Sequence, residues 1–136
     1  MRADDEPSAE RRWLLATLAR NPKRRVVGPR CGLPHEWRPE TVLSPDSGLP
    51  FTPAAAWLFI ADLLEGGHPC RVATLREPPG VEAYEFLVDL SGNDRTVYIK
   101  IHLGLGGKVI GRSFHASTQK TRCGAAPRRA RRDDEE

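Results

Sequence analysis

Two runs of alternating apolar and polar residues carry the side chains best suited to chemistry. In Thr96–Leu103 an extended strand puts Val97, Ile99, Ile101 and Leu103 on one face and Tyr98, Lys100 and His102 on the other. In Lys108–His115 the two sets are Lys108, Ile110, Arg112, Phe114 and Val109, Gly111, Ser113, His115. With Ile110 and Phe114 turned to a core, Ser113 and His115 join Tyr98 and Lys100 on the open face. A phenol, an ammonium, a hydroxyl and an imidazole together suit phosphodiester chemistry. An imidazole titrates near ~6.5, so His115 can give or accept a proton at neutral pH. Lys100 and Arg112 can stabilise charge that develops on a phosphate, and Tyr98 can hydrogen-bond or stack on a base. Lys108, Ser113 and His102 complete the set as substrate-binding candidates. RNA cleavage without a metal needs only such groups, because the substrate's own 2′-hydroxyl attacks. The same residues also suit a strand that merely faces solvent, and spacing does not separate the two. Arg112, between two core positions, demands a buried carboxylate, a sheet end or a local bulge.

The elements that must position these groups are legible between Thr52 and His115. Thr52 is an N-cap residue and Pro53 suits the first helical position. Ala54–Leu64 then supplies helix formers, with Ala56, Ile60, Leu63 and Leu64 on one face and Trp57 and Ala61 beside them. Gly66-Gly67 stops the helix. Four strand-like runs follow: Pro69–Leu75, Val81–Leu90, Thr96–Leu103 and Lys108–His115. The turns between them are Glu77-Pro78-Pro79-Gly80, Ser91-Gly92-Asn93-Asp94 and Gly104–Gly107. Short loops predict an antiparallel four-stranded meander with helix packed on one face, an α+β fold.

Around this core (51–118) lie an arm and a tail. Residues 1–9 are acidic, with Pro and Ser, and read as disordered. Glu10–Asn21 reads as a short helix with a stripe of Trp13, Leu14, Leu15 and Leu18, ended by Pro22. From Gly28 to Pro53 six prolines and three glycines make an irregular segment, a linker or an arm wrapped on the core. The tail, 119–136, joins an Arg-rich run to Asp133-Asp134-Glu135-Glu136 and reads as disordered.

Composition excludes several classes. The 136 residues suit one domain, and no apolar run reaches the ~18–20 residues of a membrane helix. The net charge of +3 sits outside the core: residues 54–118 hold six basic side chains against seven acidic ones. Three scattered cysteines, Cys31, Cys70 and Cys123, form no disulfide framework, which points to a reducing cytoplasm. Arg11-Arg12 followed by an apolar stretch imitates a twin-arginine export signal, but that stretch ends at Arg20 without a cleavage site. Cys31-x3-His35 and His68-x-Cys70 match no zinc-finger spacing, so no metal or other cofactor is expected. Gly104–Lys108 lacks the spacing of a phosphate-binding loop and joins two strands, which makes it a hairpin turn.

Val97-Tyr98-Ile99-Lys100-Ile101 and Val109-Ile110-Gly111-Arg112-Ser113-Phe114-His115 resemble the C-terminal half of the motility quorum-sensing regulator (MqsR) toxin family. There a strand reading V-Y-[LIV]-K precedes a hairpin and a strand ending in S-F-[HK]. Residues Trp57 to His115 also follow that family's order of helix, then strands. The resemblance implies a RelE-like fold, a cytoplasmic mRNA endoribonuclease that needs no metal, and an antitoxin that holds it inactive. Tyr98 matches the motif tyrosine implicated in catalysis, Lys100 the lysine two residues on, and His115 the position after Ser-Phe. Arg112 has no fixed counterpart. The arm and the tail have none either. A different class of function fits the basic termini: a non-catalytic module in which Lys23–Arg25 and the Arg-rich tail hold nucleic acid or an acidic partner.

Overall fold

A computed structural model describes residues 6–27, 36–75, 79–90, 93, 95–104 and 106–120. Ser8 opens helix α1 (Ala9–Ala19) by accepting the Arg11 amide on its hydroxyl at 3.1 Å. Two short strands follow, β1 (Arg25–Val27) and β2 (Glu36–Trp37), then a 3-10 turn at Pro39–Thr41. Helix α2 (Pro53–Glu65) starts as its sequence requires, with Thr52 Oγ1 accepting the Ala55 amide at 3.1 Å and Pro53 in the first turn. Gly67, at φ +77°, takes the left-handed conformation that ends it and lets the His68 amide reach Leu63 O at 3.1 Å. Strands β3 (Arg71–Thr74), β4 (Glu82–Val88), β5 (Arg95–Leu103) and β6 (Val109–Lys120) complete the chain.

The fold is α+β, and its sheet is larger and more mixed than a four-stranded meander. Its order is β1-β6-β5-β4-β3, with β2 also paired to β6. β3, β4, β5 and β6 are antiparallel neighbours, as the short loops predict. β1 and β2 share one further lane and run parallel to β6, β1 beside Val109–Gly111 and β2 beside Ser113–Phe114. Neither could be read from the sequence. Two or three residues carry no alternation, and their hydrogen-bond partners lie more than 70 positions away. Within the segment 28–53, Glu36–Trp37 lies against the sheet, and residues 28–35 lie outside the described set. β6 likewise runs to Lys120, five residues beyond the predicted strand. Residues 1–5 and 121–136 are outside the described set too.

One core lies between the helices and one face of the sheet. Ala56, Trp57, Ile60, Ala61, Leu63 and Leu64 of α2 are all buried against Tyr84, Phe86, Val97, Ile99, Ile101 and Phe114. Trp37 packs on Trp57 (ring centroids 5.0 Å apart) and edge-on to Phe114 (5.6 Å), tying β2 to both α2 and β6. α1 is rotated from the expected stripe. It buries Leu15, Ala16 and Ala19 and leaves Trp13 67% exposed. Small residues at 16 and 19 let α1 approach α2 closely, and the helix turns to use them.

A candidate phosphodiester site on the open face of the sheet

The register of β4, β5 and β6 builds this face in rows. Val97, Ile99 and Ile101 are buried under the helices, so Tyr98, Lys100 and His102 point the other way, as the alternation predicts. Leu87, Tyr98 and His115 form one row. Arg71, Glu85, Lys100 and Ser113 form the next, and Ala73, Ala83, His102 and Ile110 a third.

Ser113 and His115 reach this face through a β-bulge. Ile101 pairs with Gly111, yet Lys100 pairs with Ser113, so Arg112 is an extra residue with no partner position on β5. The fold places Arg112 at such a bulge. It also corrects one assignment. Ile110 pairs with His102 on the open face, while Val109, Gly111 and Phe114 face the core. Gly111 is there because Trp37 lies on it: a β-carbon at Gly111 would stand 2.5 Å from a Trp37 ring carbon.

Glu85 is the residue that sequence reasoning missed. Its carboxylate, only 20% exposed, accepts the Tyr98 hydroxyl on Oε2 at 2.7 Å. Lys100 Nζ stands 3.9 Å from the same oxygen, and Arg71 Nε 3.8 Å from Oε1. The signal for it was present, since Tyr84, Phe86 and Val88 alternate into the core and leave Glu85 facing out beside Lys100.

His115 packs its ring against Tyr98, centroids 5.8 Å apart. Its Nδ1 lies 2.8 Å from Ala116 O. A carbonyl can only accept, so Nδ1 carries the proton and, in the neutral ring, Nε2 carries the lone pair. Nε2 is shielded from solvent in this conformation. His102 is buried, and its Nδ1 has no hydrogen-bond partner among the described residues. Burial, reinforced by the nearby charges of Arg112 and Lys100, pushes its pKa down to about 4. His102 is therefore neutral at physiological pH and cannot serve as a cationic phosphate ligand. Lys108 is exposed at the hairpin end of the sheet, on the order of ~20 Å along the strands from the Tyr98–His115 row. The fold thus brings Tyr98, Lys100, Ser113 and His115 together, sets Arg112 near His102, and leaves Lys108 apart.

No known family, curated protein or solved structure matches the chain. The likeness of Val97–Ile101 and Val109–His115 to toxin strands rests on those two short motifs.

The other sequence candidates are placed as follows. Gly104 to Lys108 closes as a hairpin turn, with the Gly104 amide donating to Lys108 O at 2.8 Å. Of the metal-ligand candidates, Cys31, His35 and Cys123 lie outside the described residues. Cys70 is buried, and burial pushes its thiol up to about 12, which keeps it protonated. In the basic cluster, Arg25 directs its guanidinium to Ala19 O at the end of α1 (2.8 Å), while Lys23 and Arg24 are exposed. Among the described residues no helix is long and apolar enough to cross a membrane.

Proposed function

We propose that the chain is a metal-independent endoribonuclease acting on mRNA, the toxin of a toxin–antitoxin pair with a RelE-like core. The observation that carries this reading is the bulge at Arg112, which holds Ser113 and His115 on the same face as Tyr98 and Lys100. The motif resemblance of those two strands supports it independently. The cytoplasm as its compartment and a cognate antitoxin as its partner follow from that resemblance.

In the proposed reaction the RNA supplies its own nucleophile. His115 Nε2 takes the proton of a 2′-hydroxyl as the O2′–P bond forms. RNA must first uncover Nε2, so binding and activation are one event here. Lys100 and Arg112 stabilise the charge that gathers on the phosphorane oxygens. Tyr98, its hydroxyl proton held by Glu85, presents its ring for a base beside the scissile phosphate to stack on. The P–O5′ bond then breaks, the departing O5′ takes a proton from water, and His115 releases its own proton to solvent. The products are a 2′,3′-cyclic phosphate and a free 5′-hydroxyl.

Induced expression in a bacterial host, wild type beside His115→Ala, tests this. Growth arrest with fragmented mRNA is expected for the wild type alone. Intact mRNA with normal growth in both strains would overturn the nuclease reading.

A further inference from the structure

Beside the Tyr98–Glu85 pair the sheet has a notch. β3 begins at Arg71, opposite Glu85, so β4 runs on through Phe86, Leu87 and Val88 with no strand on that side among the described residues. The gap is a cavity of about 650 Å³, the size of a small-molecule site. Pro69 and Leu87 give it apolar walls, Tyr98 an aromatic ring, Arg71 a guanidinium, and Glu85 and Glu6 two carboxylates.

That lining argues for a nucleobase and against a phosphate. Glu6 is already paired with Arg12 at 3.1 Å, and the Glu85 carboxylate disfavours an anion, whereas apolar walls, a ring and a planar guanidinium accept the faces of a base. In the proposed reaction the phosphate lies one strand inward, at Lys100. Glu85 adds the recognition chemistry. Oε2 is taken by Tyr98, but Oε1 has no hydrogen bond among the described residues, where its nearest cation is Arg71 Nε at 3.8 Å. This oxygen faces the notch side of the row and can accept an N–H from a bound base.

We propose that this notch is a nucleobase subsite that takes a base with an exocyclic amino group and rejects uracil. Adenine, cytosine and guanine each offer an amino N–H to Glu85. Uracil presents carbonyl oxygens on both sides of its single ring N–H, and these would face the carboxylate. The proposal rests on the ribonuclease reading of the adjoining face, and it names what that face selects.

Cytosine and uracil differ at this edge and little in size, so they isolate the amino group. The test is the affinity of the intact protein for fluorescein-labelled 2′-O-methyl hexacytidylate and hexauridylate, which cannot undergo 2′-hydroxyl attack, measured by anisotropy at one salt concentration. The cytosine oligomer is expected to bind on the order of tenfold more tightly. Leu87→Trp, at a 52% exposed position, should fill the notch and abolish the difference. Glu85→Gln, whose amide also donates, should narrow it. Equal affinities in the wild type, or a difference that survives Leu87→Trp, would overturn the proposal. Cleavage of the corresponding all-ribose hexamers reports the nuclease separately: a cytosine preference in binding with no cleavage of either oligomer keeps the subsite and removes the nuclease.

Discussion

The Tyr98 hydroxyl donates to Glu85 Oε2 across two adjacent strands at 2.7 Å, and Lys100 Nζ stands 3.9 Å from the same oxygen. One carboxylate on β4 thereby ties together a phenol and an ammonium on β5. Tyr98→Phe and Glu85→Ala each break the same contact. Their effects on RNA cleavage are expected to be non-additive, the double variant being little slower than the worse single one. His115→Ala, which removes a proton acceptor, should cost on the order of 10²–10⁴-fold. Single-turnover rates of the four variants beside the wild type check this, and purely additive losses for Tyr98 and Glu85 would count against a shared role.

Deleting Arg112 is expected to leave the fold standing. The bulge inserts this one residue, and without it Gly111 and Ser113 fall into regular register opposite Ile101 and Lys100. Ser113 and His115 keep their face, and only the guanidinium is lost. RNA affinity and thermal stability should therefore both change by about as much as for Arg112→Ala. A deletion variant that fails to fold would show that the bulge itself is structural.

His102 makes stability depend on pH in a defined window. Its folded pKa lies near 4 against an ordinary value of 6.5, so the unfolded chain binds the proton first. Stability from this group is full above about 6.5 and falls as pH drops through about 4. Chemical denaturation across that range should show a steeper acid loss for the wild type than for His102→Gln. Parallel profiles would mean that His102 is not held neutral by burial.

Gly111→Ala should destabilise by about 1–3 kcal/mol, because the new methyl meets the Trp37 ring, itself packed on Trp57 and Phe114. Gly104→Ala meets only the end of the Ile110 side chain and is expected to be milder. Denaturant midpoints of the two variants provide the comparison.

Much of what positions the site is legible because it depends on neighbours in sequence. Thr52-Pro53 and Gly66-Gly67 bracket α2 with local hydrogen bonds and dihedral preferences. The alternation of β5 places Tyr98 and Lys100 correctly for the same reason. The lane of β1 and β2 was hidden because distant backbone groups make it, not any pattern within it. Trp13 misled because its size suggested burial, where the packing of α1 on α2 favours Ala16 and Ala19. Glu85 was visible as an outward residue, but its importance emerges only from the pairing that sets it beside Tyr98 and Lys100.

The position of β6 between β5 and the lane of β1 and β2 sets an order of events during synthesis. β1 emerges early from the ribosome, yet its partner Val109–Gly111 is made more than 80 residues later. Until then Val26 and Val27 have no ladder to join, and closing so long a loop makes their pairing a late step. Ser113 and His115 ride on the same late strand. A nascent chain stalled before β6 thus carries Tyr98, Lys100 and Glu85 without the imidazole beside them, and this face assembles only once β6 has been made.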